Sequence, residues 1–103
     1  MEQIDLYEGL VNTGLPVAYH HYKNPPPLPY IIYFLKDSDN FGADNKVYSK
    51  SENYLVELYS TKKDREAEAK IELFFCGADI FYDKYETFIA SEKLYQVAYE
   101  VNI

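Results

Sequence analysis

The sequence predicts an α+β fold, a four- or five-stranded antiparallel or mixed sheet with two helices packed on one face. Two segments carry apolar residues at helical spacing, and at least three others alternate with the period of a strand. The breaks between them hold proline, glycine, asparagine and aspartate, the residues that turns select. At 103 residues and 48% hydrophobic composition, positions 1–103 form a single domain that buries well over half its unfolded surface without metal or disulfide staples.

The first helix is expected over residues 3–12. Ile4, Leu6, Tyr7, Leu10 and Val11 recur at near-helical spacing, Glu2 and Asp5 favour the positive helix start, and Gly14 can take the left-handed stop. Leu15 to Tyr22 is compatible with a strand, until the block Pro25-Pro-Pro-Leu-Pro29 removes the donors that a ladder needs. That block reads as a rigid connector rather than a polyproline ligand, because core-like segments flank it on both sides.

Tyr30 to Leu35 is apolar on both faces and is the expected interior strand. Asp37 to Asn45 is dense in turn formers and reads as a long loop. Val47 to Tyr59 resumes strand character, with Tyr54, Val56 and Leu58 on one face and Leu55, Glu57 and Tyr59 on the other. The two strands form a long hairpin. Thr61-Lys-Lys-Asp64 has capping-box spacing and opens a second helix near residues 64–76. Its stripe is Ala67, Ile71, Phe74 and Phe75, opposed by Arg65, Glu66, Glu68, Lys70 and Glu72, and Gly77 is placed to end it. Phe81 to Ile89 and Leu94 to Ile103 flank Ala90-Ser-Glu-Lys93 as a second hairpin. In its last strand Tyr95, Val97, Tyr99, Val101 and Ile103 point one way, so the C-terminus is expected to be packed rather than frayed.

Charge and composition exclude several functions. Seventeen acidic against ten basic side chains give a formal charge of -7, which repels phosphate backbones and anionic lipids, so direct nucleic-acid recognition and membrane binding are not expected. No apolar run approaches the roughly 20 residues of a membrane span, and Met1-Glu-Gln-Ile-Asp lacks a basic leader, so the expected site of synthesis is the cytoplasm. Cys76 has no cysteine to pair with and, beside Phe74 and Phe75, reads as a small buried hydrophobe. Twelve tyrosines, six phenylalanines and no tryptophan suit either half-buried sheet faces or contacts with other chains.

Tests for chemistry are negative. His20 and His21 are the only histidines, and adjacent residues on an extended chain point to opposite faces, so they are expected not to share a metal. Asp37, Asp39 and Gly42 match positions 1, 3 and 6 of an EF-hand loop. Phe41 and Tyr48 then stand at positions 5 and 12, where oxygen ligands are required. A looser carboxylate site at Asp37, Asp39 and Asp44 is weighed against a solvated turn, which is favoured. Nothing places Cys76 near a base or at a helix start, and the four glycines are isolated, so neither a nucleophile nor a phosphate loop is expected. The chain reads as a non-enzyme with no cofactor.

The runs Leu15-Pro-Val-Ala-Tyr-His-His-Tyr22, Pro29-Tyr-Ile-Ile-Tyr33, Asn40-Phe-Gly-Ala-Asp-Asn-Lys-Val-Tyr48, Tyr54 to Asp64 and Phe88 to Glu100 together resemble small tail-terminator or tail-completion proteins of long-tailed phages and prophages of Gram-positive bacteria. The resemblance implies a virion part at the head-proximal end of the tail. Its implied partners are further copies in a ring, hexameric by analogy, the tail tube protein, and a head connector or head-closure protein. Candidate contact residues are Asp37, Asp39, Asn40, Phe41, Asp44, Asn45 and Tyr48 on the loop and hairpin. A second set, His20, His21, Tyr22 and Tyr30, lies around the proline connector. A head-closure role, an acidic binding module unrelated to virions, and a small enzyme using scattered carboxylates are the alternatives.

Overall fold

A computed structural model of the chain describes residues 2–38, 41–43, 46–49 and 51–103, with backbone alone for 41–43 and 46–49. Helix α1 spans Gln3–Val11 and starts where the Glu2 amide donates to Asp5 Oδ2 at 2.9 Å. Gly14 takes the left-handed conformation (φ 86°) just past its end, as its position predicts. Strand β1 (Val17–Tyr19) follows, then β2 (Tyr30–Ser38), β3 (Phe41–Ala43), β4 (Lys46–Ser49), β5 (Glu52–Ser60), helix α2 (Arg65–Gly77), β6 (Tyr82–Ile89) and β7 (Leu94–Asn102).

The main sheet has five strands in the order β1-β2-β5-β7-β6. It is mixed, because β1 runs parallel to β2 while the other neighbours are antiparallel. Two consecutive parallel strands need a connection that carries the chain back along the sheet, and the proline connector provides it. The β2–β5 hairpin is long, as expected, but its tip is no plain loop. There β3 and β4 pair antiparallel as a separate two-stranded ribbon, so the run from Val47 to Tyr59 is divided between two strands.

One face of the sheet carries the core. Ile31 and Tyr33 oppose Leu58 and Val56, which in turn oppose Val97 and Tyr99, with Tyr54 against Val101. These side chains and Leu6, Leu10, Ala67, Ile71 and Phe75 from the helices form one buried cluster. The last strand is held to its end, with Ile103 and Glu52 exchanging both backbone hydrogen bonds at 2.9 and 3.2 Å.

Four local expectations are corrected. The cap of α2 is Asp64, whose Oδ1 accepts from the Ala67 amide at 3.0 Å, so the helix starts one turn later than a Thr61 cap would place it. Gly77 belongs to the helix, and the left-handed residue is Asp79 (φ 55°). The Asp79 and Ile80 amides donate to the Cys76 and Phe75 carbonyls, and Ile80 is buried. Cys76 is exposed, because one helical step of about 100° from buried Phe75 carries it off the core stripe. Glu68, expected on the solvent side, is buried with 3% exposure.

Candidate interaction surface

The helices cover one side of the sheet only. On the other side the alternation sets Tyr30, Ile32 and Phe34 of β2 beside Leu55, Glu57 and Tyr59 of β5, with Gln96 and Ala98 of β7 next in line. These side chains are half-buried, shielded by one another. Tyr30 packs against Tyr59 with ring centroids 5.6 Å apart, and Tyr22, at the start of the proline connector, meets Tyr30 at 5.0 Å. The surface is an aromatic sheet face of the kind that lines protein contacts.

One carboxylate lies within it. Glu57 Oε1 accepts from the Tyr59 hydroxyl and Oε2 from Gln96 Nε2, both at 3.1 Å, while Gln96 Nε2 also lies 2.9 Å from the Tyr59 hydroxyl oxygen. Burial pushes the Glu57 carboxyl above its ordinary range, and the Tyr59 hydrogen bond offsets only part of this. The Tyr59 phenol is pushed up to about 12, first by burial and then by the Glu57 charge, against the lowering hydrogen bond from Gln96. Among the described residues no lysine or arginine forms an ion pair with Glu57.

The histidines depart from expectation. His20 sits at φ 69°, its amide donates to the Tyr33 carbonyl, and the His21 amide donates to Tyr19, which turns the chain. The rings therefore meet, with Nδ1 atoms 3.0 Å apart, instead of pointing to opposite faces. His20 also packs edge-on against Phe34, so the pair borders the same uncovered face as Tyr22 and Tyr30. Among the described residues, no three histidine, cysteine, aspartate or glutamate side chains gather to hold a metal.

Of the loop residues, Asp37 accepts from Asn53 Nδ2 at 2.6 Å across the hairpin. Phe41 and Tyr48 fall on the backbone of β3 and β4. Asp39, Asn40, Asp44 and Asn45 lie outside the described residues. Glu57 and Gln96 were not singled out from sequence as contact residues, although the alternation of β5 places Glu57 opposite the core stripe.

A second polar cluster joins α2 to β6. Lys63 Nζ lies 2.9 Å from both oxygens of Glu68, and Lys84 Nζ lies 2.8 Å from Glu68 Oε1 and 2.8 Å from Glu72 Oε2. Lys63 also reaches Glu86 at 2.7 Å. Burial raises the Glu68 carboxyl, but hydrogen bonds from Lys84 and Lys63 outweigh it and hold the group below its usual range. Glu72 is likewise raised by burial and then brought lower by Lys84, Tyr99 and Tyr82. Each acid is already matched by a cation or hydroxyl, so the cluster fastens helix to sheet. No helix among the described residues is long and apolar enough to cross a membrane.

No known protein family's sequence profile matches the chain, and no curated protein does. Solved structures with the same fold include a chain from the virion of a native gene transfer agent particle. It superposes with a TM-score of 0.63 at 13% identity, over 94% of this chain and 88% of that one.

Proposed function

We propose that this protein is a structural part of a phage-like virion that caps the tail tube and joins it to the head connector, acting as a ring of identical copies. The observation that carries the reading is the end-to-end likeness of its fold to a gene transfer agent virion chain, which agrees in class with the sequence resemblance to tail-terminator proteins. Ring contacts are heterologous, so each copy must offer two different surfaces. An aromatic, uncovered sheet face on one side and a helical layer on the other supply two such surfaces. The net charge of -7 suits a passage for DNA, since cationic walls would retain phosphates.

Deletion of residues 39–45 at the hairpin tip tests the reading. The expected protein folds with unchanged circular dichroism but fails to cap tail tubes. Capping that survives both this deletion and disruption of the sheet face would remove the support for a role at the tube end.

A further inference from the structure

The main sheet ends on β6, whose outer side no described strand pairs. Asp83 to Phe88 are all exposed, Tyr85 by 54% and Phe88 by 51%. The ladder decides which backbone groups this edge presents. Ile103 and Glu52 exchange both hydrogen bonds, and such exchanges recur at every second residue of an antiparallel pair. The odd-numbered residues of β7 therefore bond to β5 and its even-numbered ones to β6, where they meet Asp83, Tyr85, Thr87 and Ile89. The amides and carbonyls of Tyr82, Lys84, Glu86 and Phe88 are left pointing outward. An edge eight residues long, in continuous register and without proline, is a template for another strand.

We propose that the free protein pairs along this edge with a second copy of itself, β6 antiparallel to β6 about a two-fold axis at Tyr85. The occupant is a second copy because the strand is complementary to itself in this register. Lys84 falls opposite Glu86 of the second copy and Tyr82 opposite its Phe88, and the symmetry makes each pair twice. Only outward-pointing residues exchange hydrogen bonds across the seam, so the register slides in steps of two residues, which move the axis by one. An axis at Lys84 or at Glu86 would set like charges directly opposite each other, which is unfavourable. A lysine on an edge ordinarily keeps other strands away. Here Lys84 is drawn onto Glu68 and Glu72 of its own chain, and the second copy brings a further carboxylate beside it. A two-fold contact closes at two copies, so it describes the free protein and goes beyond the ring on a tail tube.

The test is self-association of the full chain by sedimentation velocity, in which the wild type should be a dimer. Glu86→Pro removes an outward amide and no bond to β7, so it should keep the circular dichroism spectrum. Counted twice across the axis, it should weaken association at least about tenfold. The register is read separately by cysteine crosslinking in a Cys76→Ser background, which decides the matter even if the proline disturbs the strand. Tyr85→Cys should give a disulfide-linked dimer in air, since facing residues of a non-hydrogen-bonded pair lie about 4.5 Å apart at Cα. Asp83→Cys, opposite Thr87 of the second copy, should not. A wild-type chain that stays monomeric at every concentration, a complex that withstands Glu86→Pro, or crosslinking at position 83 to the same extent as at 85 would overturn the proposal. None of these results bears on tube capping, which the hairpin deletion tests.

Discussion

The hydroxyl of Tyr99, a residue with no exposed surface, donates to Glu72 Oε2 at 2.8 Å and so ties the middle of the last strand to the second helix. Burial, followed by the Glu72 charge, drives the Tyr99 phenol far above its ordinary value, so it stays a donor at any pH the fold survives. Tyr99→Phe removes the donor and keeps the ring contacts with Phe75 and Tyr82. The expected loss is about 1.5–3 kcal/mol, the range for a hydrogen bond to a charged group, measured by urea denaturation at neutral pH.

Glu68 sets the acid side of the stability profile. Its folded value and that of Glu72 are depressed below 4.5, so their contribution is complete above that value and disappears as pH falls through the depressed values. Glu57 acts in the opposite sense. Raised above 4.5, it adds stability below that pH and loses it as pH rises through its folded value. On the alkaline side Lys63 is raised first by its Glu86 hydrogen bond, and Lys84, though lowered by burial, is raised overall by Glu68 and Glu72. Their contribution is present below 10.5 and fades as pH climbs through their raised values. Urea midpoints across pH 2–11 should show Glu68→Gln with a shallower acid loss than wild type and Glu57→Gln with a steeper one.

At neutral pH, Glu68→Gln should cost roughly 1–2 kcal/mol. A fully buried pair loses about 3–5 kcal/mol when one partner is removed. Lys63 and Lys84 keep 40% and 34% of their side-chain surface in water, so they tolerate the loss of their acid better than buried lysines would. An unchanged urea midpoint would show that the cluster is an exposed-type pair despite the burial of its carboxylate.

Gly9 faces Phe74 where the two helices meet, and a methyl group at position 9 would overlap the ring. Glycine to alanine within a helix ordinarily gains about 0.5–1 kcal/mol. Here the overlap should reverse the sign, with a net loss of about 1–2 kcal/mol from overpacking. Gly9→Ala combined with Phe74→Leu should recover most of it, and a double-mutant cycle reads the coupling directly.

Asp79 holds a left-handed conformation at φ 55° just beyond the carbonyl end of α2. Asp79→Gly relieves the backbone and removes a negative charge from the negative end of the helix, so it should stabilise by up to about 1 kcal/mol. Thermal denaturation should show a higher midpoint, and a lower one would contradict this account of the helix end.

How much of this was legible in the sequence depended on how far apart the interacting residues are. The stripe at Ala67, Ile71 and Phe75 and the alternation at Val97, Tyr99 and Val101 are local patterns, and both reach the core as expected. Glu68 was misplaced because its burial depends on Lys84, sixteen positions on and brought near only when β6 lies beside the helix. Cys76 was misplaced because its apolar neighbours in sequence do not share its direction from the helix axis. The histidine pair was misread because one left-handed residue, His20, cancels the alternation that an extended chain would impose. The parallel pairing of β1 left no local trace either, since it depends on where the connector returns the chain. The sheet face opposite the helices was half legible, as Leu55, Glu57 and Tyr59 alternate with the core, but the packing of Tyr22 against Tyr30 and of His20 against Phe34 on it depends on how the connector returns along the assembled sheet.

The central claim is that copies of this chain close a ring on the end of a tail tube. Electron microscopy of tail tubes from the same particle, polymerising with and without the purified protein, tests it most directly. The account predicts tubes that stop growing and carry a ring of density at one end. Tubes that grow on unchanged, beside a protein that remains a monomer and binds neither end, would contradict it.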